Sequence, residues 1–181
     1  ISGVGLDGKT FFYPNPLEAD GSWGFNQDGH KTRAEWFGCA CCPSNLCRFM
    51  ASVPSYVYAC KEHSVYVNLF MQGDAELTLG DGKRVNITQT TEYPWDGAVK
   101  ITVNPVDASN FAVLIRIPGW TQNRPVPSNL YTYTADDGKR TEIKVNGNKL
   151  DYTINEEGYV VIERSWNEGD DIDINFPKEM H

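Results

Sequence analysis

The chain has 181 residues, of which 40% are apolar and 22% charged, with a formal net charge of −8. That balance suits a globular domain with a real core and excludes wholesale disorder. The surplus negative charge repels phosphate, so neither nucleic acid nor an anionic membrane is an expected partner. The longest apolar run, residues 111–115, is strand-sized and falls far short of the ~20 residues of a membrane helix. The first residues, Ile1-Ser2-Gly3-Val4-Gly5, carry no Met, no basic leader and no cleavage pattern, and read as the interior of a longer protein.

The chain opens irregular and aromatic. Phe11-Phe12-Tyr13-Pro14-Asn15-Pro16 is held extended by its prolines, which forbid a helix there. A polar loop over 18–33 leads to Trp36-Phe37-Gly38 and then to a run of cysteines. After Pro43-Ser44-Asn45, which supply helix-start chemistry, Leu46, Phe49, Met50, Val53 and Val57 share one helical face. Pro54 should kink or end that helix.

Near Tyr58 the period changes from 3.6 to 2. Strands are predicted over 65–71, 75–79, 84–89, 99–104, 112–117, 141–145, 160–163 and 172–176. Val99, Ile101 and Val103 alternate, as do Ile143 with Val145, and Ile172 and Ile174 with Phe176. Between the strands lie turn signals: Gly80-Asp81-Gly82, Asp96-Gly97, Asp137-Gly138, Asn146-Gly147 and Glu168-Gly169-Asp170. The expected fold is therefore mainly β: an antiparallel β-sandwich preceded by an irregular segment with one short α-helix. The expected domains are 1–57 and 58–181.

Four of the five cysteines, Cys39, Cys41, Cys42 and Cys47, form a local cluster; Cys60 stands apart. An odd count argues against a closed disulfide framework, and vicinal Cys41-Cys42 would be strained if bonded. Buried cysteines acting as small hydrophobes are the bland alternative. The sharper one is thiolate chemistry, because a helix amino terminus stabilises a thiolate, which is both a nucleophile and a metal ligand. His30, His63 and His181 show no ligand spacing to the cluster and read as surface residues. Glu156-Glu157 and Asp170-Asp171 read as solvated turn carboxylates, not as an acid/base pair. Trp120, Trp166 and Tyr131 could stack on sugars but more simply pack at sandwich edges, and Asn86-Ile87-Thr88 is a weak glycosylation pattern within a strand.

Phe11 to Leu17, followed by Trp36-Phe37-Gly38-Cys39-Ala40-Cys41-Cys42-Pro43-Ser44-Asn45, resembles the β-L-arabinofuranosidase family, glycoside hydrolase family 127 and its relatives. Val53 to Tyr58 and the terminal Gly169-Asp170-Asp171-Ile172-Asp173-Ile174-Asn175-Phe176-Pro177 resemble the same family in the same order. The resemblance implies the last stretch of an (α/α)₆ catalytic barrel over 1–57 and the first β-sandwich over 58–181. It implies a retaining glycosidase that releases L-arabinofuranose or a related sugar from glycans. By position, Cys41 matches a zinc-bound cysteine nucleophile, Cys42 a second Zn²⁺ ligand, and Tyr13 a tyrosine lining the sugar pocket.

The resemblance places the acid/base glutamate and the remaining zinc ligands, a glutamate and a cysteine, upstream of Ile1. Neither Glu18 nor Glu35 matches those positions, so the chain alone is expected to be inactive, without a complete zinc site, and to partner the amino-terminal barrel of its own protein. Without that barrel, Phe11, Phe12, Trp36, Phe37 and the helix face are expected to fold onto the sandwich, pair with another copy, or lose order. A carbohydrate-binding module, a purely structural sandwich, and a redox or metal-storage cluster are the alternatives. Reduced cysteines with zinc suit the cytoplasm, whereas polysaccharide breakdown is often exported; both compartments stay open.

Overall fold

The computed structural model describes residues 3–14, 16–39, 41–134 and 138–177. The chain divides into two compact units, Ile1–Pro54 and Ser55–His181. His181 and the Asp137 half of one expected turn lie outside the described residues.

In the first unit, regular structure is sparse before the cysteines. Isolated bridges tie Phe11 to Val4 and to Ala34, and a short 3-10 turn spans Gln27–Gly29. Helix α1 then runs Cys41–Ser52. It begins earlier than the expected start after Pro43, so Cys41 and Cys42 sit inside its first turn. Pro43 is tolerated there because a first-turn residue has no intrahelical N–H bond to lose. At the other end, Ser52 Oγ donates to the carbonyls of Arg48 (2.8 Å) and Phe49 (3.0 Å), and a 3-10 turn, Val53–Tyr56, carries Pro54. No residue of α1 is buried; Leu46, Phe49 and Met50 are 42%, 55% and 59% exposed. Phe37 escapes that fate within its own unit. It is 2% exposed and meets Phe11, Tyr13 and His30 edge-on, an outcome the sequence reading did not include.

The second unit holds strands β1 (Tyr58–Lys61), β2 (Ser64–Val67), β3 (Gly73–Thr78), β4 (Arg84–Thr91), β5 (Ala98–Pro105), β6 (Ser109–Arg116), β7 (Glu142–Val145), β8 (Asn148–Lys149), β9 (Tyr159–Trp166) and β10 (Asp170–Asn175). One sheet has the order β1-β2-β6-β9, the other β3-β4-β5-β10-β7-β8. The inward residues of both meet in one core: Val65, Val67, Val113, Ile115, Val160 and Ile162 from the first, Val85, Ile87, Ile101, Val103, Ile143 and Ile172 from the second. Burying each such side chain stabilises by about 1.5–3 kcal/mol, so the alternating pattern fixes which face turns inward.

Two strands escaped the sequence pattern. Tyr58–Lys61 pairs at a sheet edge with only one buried neighbour strand, and Asn148–Lys149 is too short to show a period. The expected strand 65–71 stops at Val67, where the Asn68 and Leu69 N–H groups turn to the Val57 carbonyl (2.8 and 3.4 Å). Pairing is antiparallel except between β2 and β6. The chain leaves β2, builds three strands of the other sheet, and returns to β2 in the same direction. Asn146-Gly147 forms the β7–β8 hairpin with φ of 50° and 74°, the left-handed pair that such a turn needs.

One further expectation is corrected, and one alternative is removed. Asp170-Asp171 opens β10 instead of lying in a turn, where Lys100 bridges Asp171 and Asp173 and Arg164 reaches Asp170. Trp166 is fully buried, its indole N–H donating to the Phe111 carbonyl at 3.0 Å, and Trp120 packs partly buried against the same core. A sugar-stacking surface built on Trp166 is therefore excluded by burial.

Candidate functional site

The three residues singled out from the sequence, Tyr13, Cys41 and Cys42, come together. Tyr13 Oη lies 3.0 Å from Cys41 Sγ and 3.3 Å from Cys42 Sγ, and accepts the Cys42 backbone N–H at 3.4 Å. A phenol has one proton to donate, so the shorter contact to Cys41 and the longer one to Cys42 compete for it. Ser44 Oγ donates to the Cys41 carbonyl at 3.1 Å, tightening the first helical turn. Both sulfurs are exposed and free of disulfides.

These contacts act on the acidities. The Tyr13 hydroxyl, then the Cys42 and Cys39 side chains, hold the Cys41 thiol below its ordinary value. The Cys41 and Cys42 sulfurs in turn hold the Tyr13 phenol well above its own. The phenol and the two sulfurs thus form one hydrogen-bonded cluster in which Cys41 is the thiol made more acidic. Cys60, in the other unit, shows the opposite: burial pushes its thiol up.

The two sulfurs are 3.8 Å apart. Two thiolates at ~2.3 Å from one tetrahedral zinc are separated by about 3.8 Å, so Cys41 and Cys42 fit as two corners of such a site. Among the described residues, no group of three His, Cys, Asp or Glu side chains is placed to hold an ion. His30 packs on Phe37, and His63 pairs with Asp81 at 2.9 Å.

The sequence reading missed what holds this arrangement. Asn26, 3% exposed, accepts the Tyr13 N–H (2.9 Å) and the Gln27 N–H (3.0 Å) on Oδ1, and donates to the Thr32 carbonyl (3.0 Å). Gln27 Nε2 donates to the Cys39 carbonyl (3.3 Å), and Asp28 Oδ2 accepts the Gly38 N–H (3.0 Å). The sequence reading took 18–33 only as a polar loop; the Asp28-Gly29 dipeptide within it is a turn signal that could have drawn attention there, and Asp28 sits in the left-handed region at φ 60°.

An irregular amino-terminal unit with a vicinal thiol pair beside a tyrosine, followed by a two-sheet sandwich, defines a narrow class. The model of the β-L-arabinofuranosidase GH127 catalytic domain matches residues 1–55, and that of the GH127 middle domain matches 64–178. The chain belongs to glycoside hydrolase family 127. A non-reducing end β-L-arabinofuranosidase of Bifidobacterium longum subsp. longum is 38% identical over 130 residues, covering 67% of this chain and 19% of that protein. A solved GH127 β-arabinofuranosidase superposes with a TM-score of 0.79 at 42% identity, over 97% of this chain and 26% of its own. A GH127 β-L-arabinofuranosidase from Geobacillus stearothermophilus T6 gives 0.73 at 38%, with the same coverages of 97% and 26%. The chain thus spans about a quarter or less of the length of these relatives.

Proposed function

We propose that this chain is the part of a retaining β-L-arabinofuranosidase that carries its nucleophile, Cys41. The observation that carries the reading is the Tyr13–Cys41–Cys42 cluster, with its 3.0 Å phenol–sulfur contact. Cys41 Sγ attacks the anomeric carbon of a terminal L-arabinofuranoside, and the bond to the leaving oxygen breaks. The family's upstream glutamate gives that oxygen its proton, then activates the water that hydrolyses the thioglycoside. Tyr13 orients the sulfur and lines the sugar pocket.

Cys41 and Cys42 would hold a zinc ion together with an upstream glutamate and cysteine. Such an ion, when bound, keeps its cysteines as thiolates. In this reading residues 1–57 belong to an (α/α)₆ barrel, 58–181 form the sandwich that follows it in the chain, and the rest of that barrel is the partner of the exposed α1 face. The chain alone is then inactive. The support is family membership over both units and the spacing of the two sulfurs.

The test uses the full-length parent with a β-L-arabinofuranoside substrate, and the isolated chain beside it. Loss of turnover in Cys41→Ser, with the fold intact, is expected. Turnover that survives the substitution overturns the nucleophile assignment, and turnover by the isolated chain overturns its inactivity.

A further inference from the structure

The thiol cluster stands in a unit with little regular structure, yet its distances are those of working hydrogen bonds. Something must hold Tyr13 and the approach to α1 in register. Cys41 follows Gly38-Cys39 by two residues, and Tyr13 lies far away in sequence, in a bend just past the Phe11 bridge. One short stretch touches both. Asn26 grips the Tyr13 amide, while Gln27 and Asp28 grip the Cys39 carbonyl and the Gly38 amide.

We propose that Asn26-Gln27-Asp28 is a positioning bracket that sets the Tyr13-to-Cys41 distance. Asn26 is the buried anchor; all of its side-chain bonds go to backbone groups, so it shapes chain path and has no free polar atom to offer a substrate. Gln27 and Asp28 act from the surface on the segment leading into the helix. Asp28 can aim its carboxylate there because its backbone adopts φ 60°, a left-handed geometry that Asp tolerates better than most residues. The shared Phe37 ring, in edge contact with both Tyr13 and His30, backs the bracket from behind. None of the three residues touches a sulfur in these contacts; they act through Tyr13 and the backbone. The assignment rests on the proposed role of Cys41, but it concerns this chain's geometry and can fail separately.

The test is the rate of Cys41 alkylation by iodoacetamide at one fixed pH. It is read residue by residue by peptide mass spectrometry on the isolated chain, with Cys60 of the sandwich as internal reference. Tyr13→Phe is expected to slow Cys41 by about threefold. Asn26→Ala should slow it by a similar factor, and the double variant should be no slower than either single, because both remove one contact. Asn26→Asp, which keeps the acceptor for the Tyr13 N–H, should return to within about twofold of the parent rate.

Should Asn26→Ala fail to fold, Gln27→Ala and Asp28→Ala alter only exposed or half-exposed side chains and should each slow Cys41 measurably, with Cys60 unchanged. Multiplying effects of Tyr13→Phe and Asn26→Ala overturn the bracket. So does an unaltered Cys41 rate in Gln27→Ala and Asp28→Ala. The Cys41→Ser activity assay on the full-length protein decides the nucleophile reading independently.

Discussion

The two units of this chain are built on opposite economies. The sandwich buries a continuous core, from Val65 through Phe176, in which Trp166, Ile87, Ile101 and Ile172 are almost wholly removed from water. Among the described residues, the thiol-bearing unit buries one large apolar side chain, Phe37, and is held mostly by hydrogen bonds between loop segments and by contacts between partly exposed rings. A helix of 12 residues with no buried face has little intrinsic stability in water. The contrast teaches that the exposed thiol cluster and the buried apolar core belong to different units here. The cysteines are exposed, while the sandwich supplies the stable body.

The largest effect expected is on chemistry. In the full-length parent, Cys41→Ser should reduce turnover by ~10³-fold or more, because an alkoxide-poor hydroxyl replaces a thiolate. The urea melt of the sandwich in that variant should match the parent's, because the substitution lies in the other unit. Loss of both together would break the separation between the units.

Next comes the core. Trp166→Ala removes a fully buried indole and its bond to the Phe111 carbonyl, and should destabilise the sandwich by ~3–5 kcal/mol in urea unfolding. The alkylation rate of Cys41 under native conditions should not follow it. If it does, the two units unfold as one.

A smaller effect is expected on the α1 face. Phe49→Ser and Met50→Ser should shift the sandwich midpoint in the isolated chain by less than ~0.5 kcal/mol, since both are exposed. In the full-length parent the same changes should cost more if the barrel covers this face. Equal small effects in both would count against that partner.

The smallest is a pH effect confined to the sandwich. Lys83, with His63 beside it, lowers the Asp81 carboxyl to about 2 from an ordinary 3.8. A group depressed on folding contributes stability above its unfolded value and loses it as pH falls towards its folded one. The contribution should be complete above about pH 4 and fade towards pH 2. Asp81→Asn should flatten that part of the acid-unfolding curve. An unchanged curve would remove the ion pair as its source.

Legibility in the sequence followed the same divide. Strands such as Ala98–Pro105 and Asp170–Asn175 announced themselves because one face is buried, so Val99, Ile101 and Val103 had to alternate. Tyr58–Lys61 did not, being an edge strand with an exposed pattern, and the parallel partnership of β2 with β6 left no trace because it depends on where the chain returns. In the other unit, the Cys41-Cys42 pair and Tyr13 were legible as residue types, whereas Asn26, which holds Tyr13 in place, looked like any polar loop residue.

By itself the sequence determined the period of the half-buried strands, the clustering of thiols, and the stop of the helix near Pro54. These follow from local sterics and from which side chains shun water. Only the tertiary structure decided that a tyrosine 28 residues before Cys41 lies 3.0 Å from its sulfur, and that α1 begins early enough to put both sulfurs in its first turn. Such distances depend on hydrogen bonds between segments remote in sequence, and no local pattern encodes which amide a buried asparagine will hold.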